Sequence, residues 1–222
     1  MATGVTTSNR RDPEGSRRKI LDAAELVFAR AGFDGATLME VGREAGMSGT
    51  LPSYFFGDKE GLYDAVIARL FADRDAALGT VCSEALELAA GGGTQAARAG
   101  LKRLVHGYLE FVERRPAFVR VMARDAMDHE RRERITARRH STAFHQGVVR
   151  IIAAFGPEPG PATDADQLVI SLIALCLFPL EHDSTLLAGM GYVARSPGFS
   201  ERRVDHVVDL LARALTPPQR GR

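Results

Sequence analysis

The sequence has no tryptophan, only two cysteines and a net charge of +1 over 222 residues. Cys82 and Cys176 stand alone, with no C-x-x-C and no Cys/His spacing around them, so neither a disulfide framework nor a structural zinc site is expected. Long apolar runs are also missing. The longest, LVISLIALCLFPL (168–180), falls short of the roughly 20 residues of a membrane span and contains a proline. The N-terminus is polar and lacks the apolar segment of a signal peptide, so a soluble, cytoplasmic protein with no membrane partner is expected. No G-x-S-x-G, H-E-x-x-H, Walker or G-x-G-x-x-G pattern occurs, and Gly91–Gly93 has no strand before it to make a phosphate loop. Asp125 and His129 share a helix face, and His140 and His145 share one poorly. Neither pair has a third ligand at helical spacing. These absences predict no enzyme, no cofactor and no metal.

What is present favours helix. Alanine, leucine, arginine and glutamate abound and β-branched runs are short. The most informative stretch is TLMEVGREAGMSGTLPSYFFGDKEGL (37–62). Thr37 and Glu40 have the spacing of a capping box, which starts a helix by satisfying two otherwise unpaired amides. Leu38, Val41 and Ala45 follow on one face. Gly46 suits the left-handed position that ends a helix, and Ser48 suits the N-cap of the next. Gly42 lies four residues before Gly46 and removes a side chain where the second helix crosses closely. Phe55 and Phe56 are placed to anchor that second helix to the first. Two short helices joined by a glycine-containing turn form either a helix-turn-helix, whose second helix enters the DNA major groove, or an ordinary helical hairpin.

The stretches ILDAAELVFARAGFDGATL (20–38), VGREAGMS (41–48) and SYFFGDKEGLY (53–63) together resemble the DNA-binding domain of TetR-type transcriptional regulators. The resemblance covers roughly residues 16 to 66. It departs in the recognition helix, where Thr50 stands for the usual glycine, Pro52 for leucine or isoleucine, and Ser53 for tyrosine. A proline in a first turn costs little, so the regular helix is expected to begin near Pro52 or to have an irregular first turn. Tyr54 is the candidate to replace the missing tyrosine's phosphate contact. Carried onto this chain, the resemblance implies DNA-facing roles for Arg17, Thr37, Met47, Ser48, Gly49, Thr50, Ser53, Tyr54 and Lys59. It gives Lys59 a phosphate contact at a helix N-terminus.

The charge count tempers this reading. Residues 1–60 hold eight Lys/Arg against nine Asp/Glu, whereas residues 1–19 hold five against two. A local positive surface therefore has to come from that N-terminal cluster and Lys59.

The expected fold class is all-α: an N-terminal three-helix DNA-binding domain with a helix-turn-helix, and a larger C-terminal helical bundle. The expected divisions are a flexible basic arm (1–12, with Arg10 and Arg11), a DNA-binding domain (13–60), a ligand-binding and dimerisation domain (61–216) and a tail (217–222). The first helix should start at about residue 13 or 16, capped by Asp12 or Ser16 with Pro13 suited to a first turn, and end at Gly32, with Ile20, Ala24, Val27, Phe28 and Ala31 inward. Asp58 should cap a helix to about residue 80, followed by a second segment to about Ala90. Thr94 should cap the next helix, to about 114, and Pro116 should open another, to about 128. Residues 130–156 read as one helix carrying Arg131, Arg132, Arg134, Arg138 and Arg139, best taken as a solvated face. A loop follows at 156–163.

The helix from Asp164 to about 180 is apolar on nearly every side, so it is either central or covered by a second subunit. Pro179 is placed to kink it. The last helix, 200–215, carries Val204, Val207, Val208, Leu211 and Leu215. In the family the last two helices form a four-helix homodimer interface, and a pocket in this domain binds a small molecule that changes DNA affinity. Candidate lining residues are His106, Tyr108, Phe111, Met122, Phe144 and Phe178. Each is otherwise an ordinary core side chain, and their apolar character points to an apolar or aromatic effector. The resemblance thus implies a repressor that binds a palindromic double-stranded DNA operator as a homodimer and is released by that ligand. The alternative is a helical small-molecule-binding or enzymatic bundle whose N-terminal domain no longer reads DNA.

Overall fold

The computed structural model describes residues 12–127, 142–155 and 164–215, and all regular structure among them is helical. Residues 1–11 of the basic arm, the arginine cluster at 131–139, the 156–163 loop and the 217–222 tail, all singled out in the sequence, lie outside the described residues. The chain forms two compact units, Met1–Ile67 and Ala68–Arg222.

The first unit holds α1 (Pro13–Gly35), α2 (Leu38–Glu44), α3 (Leu51–Phe56) and the start of α4 (Lys59–Ala89). Asp12 caps α1, accepting from the Gly15 amide at 3.0 Å, with Pro13 in the first turn, where no amide is needed. Ile20, Ala24, Val27 and Phe28 are buried, as the 3.6-residue period predicts. Helical geometry breaks at Gly32 (φ 71°), and a short further turn carries Phe33 back inward. There Phe28, Phe33 and Tyr63 form an aromatic triad, with Tyr63 edge-on to Phe28 at 4.9 Å and to Phe33 at 5.3 Å. The triad ties α1 to α4.

The second unit is built on α5 (Gly93–Arg114), against which α6 (Pro116–Met127), α7 (Thr142–Ala153), α8 (Ala165–Glu181) and α9 (Pro197–Leu215) all pack. The inner side of α5 includes Leu101, Leu104, Val105, Tyr108 and Val112, none more than 3% exposed. Close approach to α4 is made through glycines. A Cβ on Gly107 would meet Val81, one on Gly147 would meet Cys82, and one on Gly100 would meet the Ala85 carbonyl.

Several boundaries differ from those expected. α4 is a single helix to Ala89 rather than two segments, because nothing in 79–82 breaks it and Leu78, Val81, Cys82 and Ala85 continue one buried face. Thr94 lies inside the first turn of α5; the cap position is Gly92, which along with Gly93 has a positive φ.

α8 runs on to Glu181 with Pro179 inside it. A proline at 179 has no amide to give the carbonyl of Leu175. Arg203 of α9 fills that gap: its Nε and Nη2 donate to the Leu175 oxygen at 2.8 and 2.6 Å. Burial holds the Arg203 guanidinium below its usual pKa, without threatening its charge. The valine–leucine stripe of α9 is spent within the chain. Val204, Val207, Val208 and Leu211 are buried, and α9 packs on α5 and α8. α8 buries Leu168, Val169, Leu172, Cys176 and Leu180 but leaves Ile170 and Phe178 exposed.

Replacing Arg203 by methionine should lower the unfolding free energy by about 1–3 kcal/mol, the range for a carbonyl stripped of its donor. In a Pro179→Ala background the same substitution should cost less, since the restored amide can take the carbonyl. Urea unfolding of the four proteins of this double-mutant cycle measures the difference.

Candidate nucleic-acid interface

The helix-turn-helix is set by backbone approach. A Cβ placed on Gly42 would lie 2.7 Å from the Gly49 Cα and 2.7 Å from the Ser48 carbonyl oxygen. α2 thus presses directly on the turn before α3. Gly46 ends α2 with φ 67°, the left-handed conformation that a side chain would strain. The Met47 amide then returns to the Gly42 carbonyl at 2.8 Å.

Only half of the expected capping box forms. The Thr37 hydroxyl accepts from the Glu40 amide at 3.1 Å. The Glu40 carboxylate, expected to reach back to Thr37, instead accepts from Arg30 at 2.8 Å, and Arg30 also meets Glu44 at 3.4 Å. A guanidinium from α1 competes better for that carboxylate than a neutral amide does.

The N-cap of α3 is Thr50 rather than Ser48. Ser48 closes the preceding turn: its Oγ accepts from the Thr50 amide at 3.4 Å, and its carbonyl accepts from the Leu51 amide at 3.0 Å. Pro52 therefore falls in the first turn of α3, where its missing amide is harmless, and its ring is buried. Thr50, Ser53 and Tyr54 are exposed, Tyr54 at 81%. Met47 and Gly49 are half-buried.

Two cations named in the sequence rest on aromatic faces. The Arg17 guanidinium stands 4.7 Å from the centre of the Phe56 ring, which joins α3 to α1 where the sequence suggested an anchor to α2. The Lys59 ammonium stands 4.4 Å over Phe33 and donates to the carbonyls of Asp34 and Ala36 at 3.3 and 3.1 Å. An ammonium has three donors, and the two carbonyls take two of them. Asp58 accepts from the Gly61 amide at 2.8 Å and so opens α4 as expected. Met39, 74% exposed, and Arg43, also exposed, were not singled out in the sequence. Their outward position follows from the period that turns Val41 inward.

The candidate ligand residues separate in the second unit. Tyr108 and Phe144 are buried and stacked at 5.3 Å, Phe111 is buried edge-on to Phe118 at 5.2 Å, and Met122 is half-buried. His106 and Phe178 do not line the interior. The His106 side chain is 61% exposed, 4.0 Å from Glu110 one helical turn on, and Phe178 stacks on His182 at the surface. Helical phase explains both, since Val105 and Tyr108 take the inner side of α5, and Cys176 and Leu180 that of α8. Burial pushes the Cys176 thiol up to about 12 and raises Cys82 as well, so both stay protonated and poorly nucleophilic at neutral pH.

A helix-turn-helix with a free polar face on its second helix, followed by a larger helical unit, defines a helix-turn-helix DNA-binding protein. Residues 20–66 match the family described as bacterial regulatory proteins, tetR family, and residues 98–211 match the tetracyclin repressor-like C-terminal domain. The HTH-type transcriptional repressor NicS of Pseudomonas putida is 26% identical over 192 residues, covering 84% of this chain and 85% of NicS. The HTH-type transcriptional regulator BetI of Paraburkholderia phymatum is 36% identical over 60 residues, which are 27% of this chain and 31% of BetI. The chain thus matches under a third of BetI's length. Among solved structures, the TetR family regulator PfmR of Thermus thermophilus superposes with a TM-score of 0.60 at 17% identity, covering 92% of this chain and 97% of that one. A TetR-like regulator from Rhodococcus sp. RHA1 gives 0.58 at 20% identity, covering 90% and 93%. The chain belongs to the TetR family of bacterial regulatory proteins.

Substituting Gly42 by alanine should cost about 1–3 kcal/mol of stability, the usual penalty for forcing an atom into a filled space. It should also displace the turn carrying Ser48 and Gly49. Thermal unfolding and DNA binding should both report the loss, and an alanine variant with normal DNA affinity would show that the turn adjusts freely.

Proposed function

We propose that the protein is a homodimeric repressor that binds a palindromic operator through α3 and is released by a small apolar or aromatic molecule held in its second unit. The observation that carries the reading is the outward face of Thr50, Ser53 and Tyr54 on a helix whose other side is pinned by Pro52 and by Phe56 under Arg17. The similarity to NicS, a repressor, over most of the chain supports repression as the sign of regulation.

Exposed apolar side chains support the homodimer. Ile170 and Phe178 on α8, Leu210 on α9, and Leu186, Met190, Tyr192 and Val193 between those helices are each at least 43% exposed. A second copy is the natural cover for the helical ones, because the buried stripe of α9 is already used within the chain. A dimer places two recognition helices about 34 Å apart, one DNA turn, on one face of a palindrome. The buried aromatic residues Tyr108, Phe111 and Phe144 support an apolar effector, which acts by preferring the arrangement that does not fit DNA.

Within this reading Arg17 and Lys59 meet phosphate, and Ser53 and Tyr54 face the bases. Thr50 faces the bases with them, and Thr37, Met47, Ser48 and Gly49 shape the approach.

Selection from a pool of random DNA fragments at near-physiological salt should return a roughly palindromic site. Recovery of none, even at low salt, would remove the DNA-binding reading. On the recovered site, Lys59→Ala should weaken binding to all sequences alike and make the slope of log affinity against log salt shallower by about 1. A change of sequence preference instead would show that Lys59 reads bases.

A further inference from the structure

The outward surface of the recognition helix carries neither charge nor amide. From Gly46 to Gly57 the sequence GMSGTLPSYFFG contains no Lys, Arg, His, Asp, Glu, Asn or Gln. Thr50, Ser53, Tyr54 and Gly57 are exposed at helical spacing, and Pro52, on the other side, is buried. That face offers hydroxyls, one methyl group and one aromatic ring. The ring belongs to Tyr54, 81% exposed and braced edge-on by Phe55 at 5.2 Å. Met39, 74% exposed, sits against Gly49, where an added Cβ would come within 3.0 Å of the Met39 Cγ.

Base pairs in the major groove are told apart in a few ways. Guanine is read by the paired donors of Arg or Lys, adenine by the donor and acceptor of Asn or Gln, and cytosine by a carboxylate. None of these groups is present on α3. The hydroxyls of Ser and Thr pair with donor and acceptor edges alike and discriminate little. The remaining distinguishing feature is the C5-methyl of thymine, which projects into the groove and is read by apolar contact. The Tyr54 ring and the Thr50 methyl are groups of that kind.

Resting on the DNA-binding reading above, we propose that α3 reads its operator chiefly through thymine methyl groups. Tyr54 is the main reader, and each half-site presents thymine to α3. Cations outside α3, Arg43 and Arg17 among them, are the competing source of specificity, through guanine.

The test uses the full-length protein and the selected operator. Each thymine in turn is replaced by deoxyuridine, which removes the methyl and leaves every hydrogen-bonding group in place. Affinity should fall about fourfold for each methyl that α3 covers. Tyr54→Phe should keep that thymine-to-uracil ratio, because the ring is retained, and Tyr54→Ala should bring it to one at the position Tyr54 covers. Equal binding of thymine and uracil at every position would overturn the proposal while leaving the protein a DNA binder. So would a site that responds only when guanine is replaced by 7-deazaguanine. A ratio untouched by Tyr54→Ala would remove Tyr54 as the reader. If the selection yields no site, the DNA-binding reading fails first, a result distinct from a bound site indifferent to the methyl.

Discussion

The helix-turn-helix depends on a backbone contact with no side chain in it. α2 reaches the turn before α3 at Gly42 and Gly49, where even one carbon would sit 2.7 Å from its neighbours. That approach fixes where α3 begins, which in turn decides that Pro52 falls in its first turn and that Thr50, Ser53 and Tyr54 point outward. The aromatic contacts around it, Phe56 under Arg17 and the Phe28–Phe33–Tyr63 triad, hold α1 and α4 to the same frame. Dispersion and burial supply most of the energy here. The glycines supply the geometry.

Charge is used sparingly. With eight basic and nine acidic residues in the first sixty, this unit has no general positive field. It instead places single cations. Arg17 and Lys59 are oriented by aromatic rings, and Lys59 also by two main-chain carbonyls, so each has less side-chain freedom than a solvated cation. Arg30 is used on the chain's own surface, pairing with Glu40 and Glu44. The second unit shows the same economy, with Arg203 satisfying the carbonyl that Pro179 leaves unpaired.

Much of this was legible in the sequence because it is local. Apolar spacing identified the inner face of α1, Asp12 and Asp58 were recognisable caps, and Gly46 announced a left-handed turn. Errors arose where a distant partner intervened. Glu40 belongs to a capping box by spacing, yet Arg30, ten residues away, takes its carboxylate. His106 and Phe178 look like pocket residues by type, yet the helices packed on α5 and α8 cover the opposite sides and leave both exposed.

The sequence by itself determined most of the helices, the caps at Thr37 and Asp58 and a helix-turn-helix of the TetR kind, since these follow from side-chain period and from the dihedral demands of glycine and proline. Only the tertiary structure decided which apolar faces were spent. The stripe of α9 could have served a second subunit, but α5 and α8 cover it, leaving other side chains of α8 and α9 at the surface. Periodicity says that a face is apolar. What packs against it depends on elements far away in the chain, so that choice appears only when they are brought together.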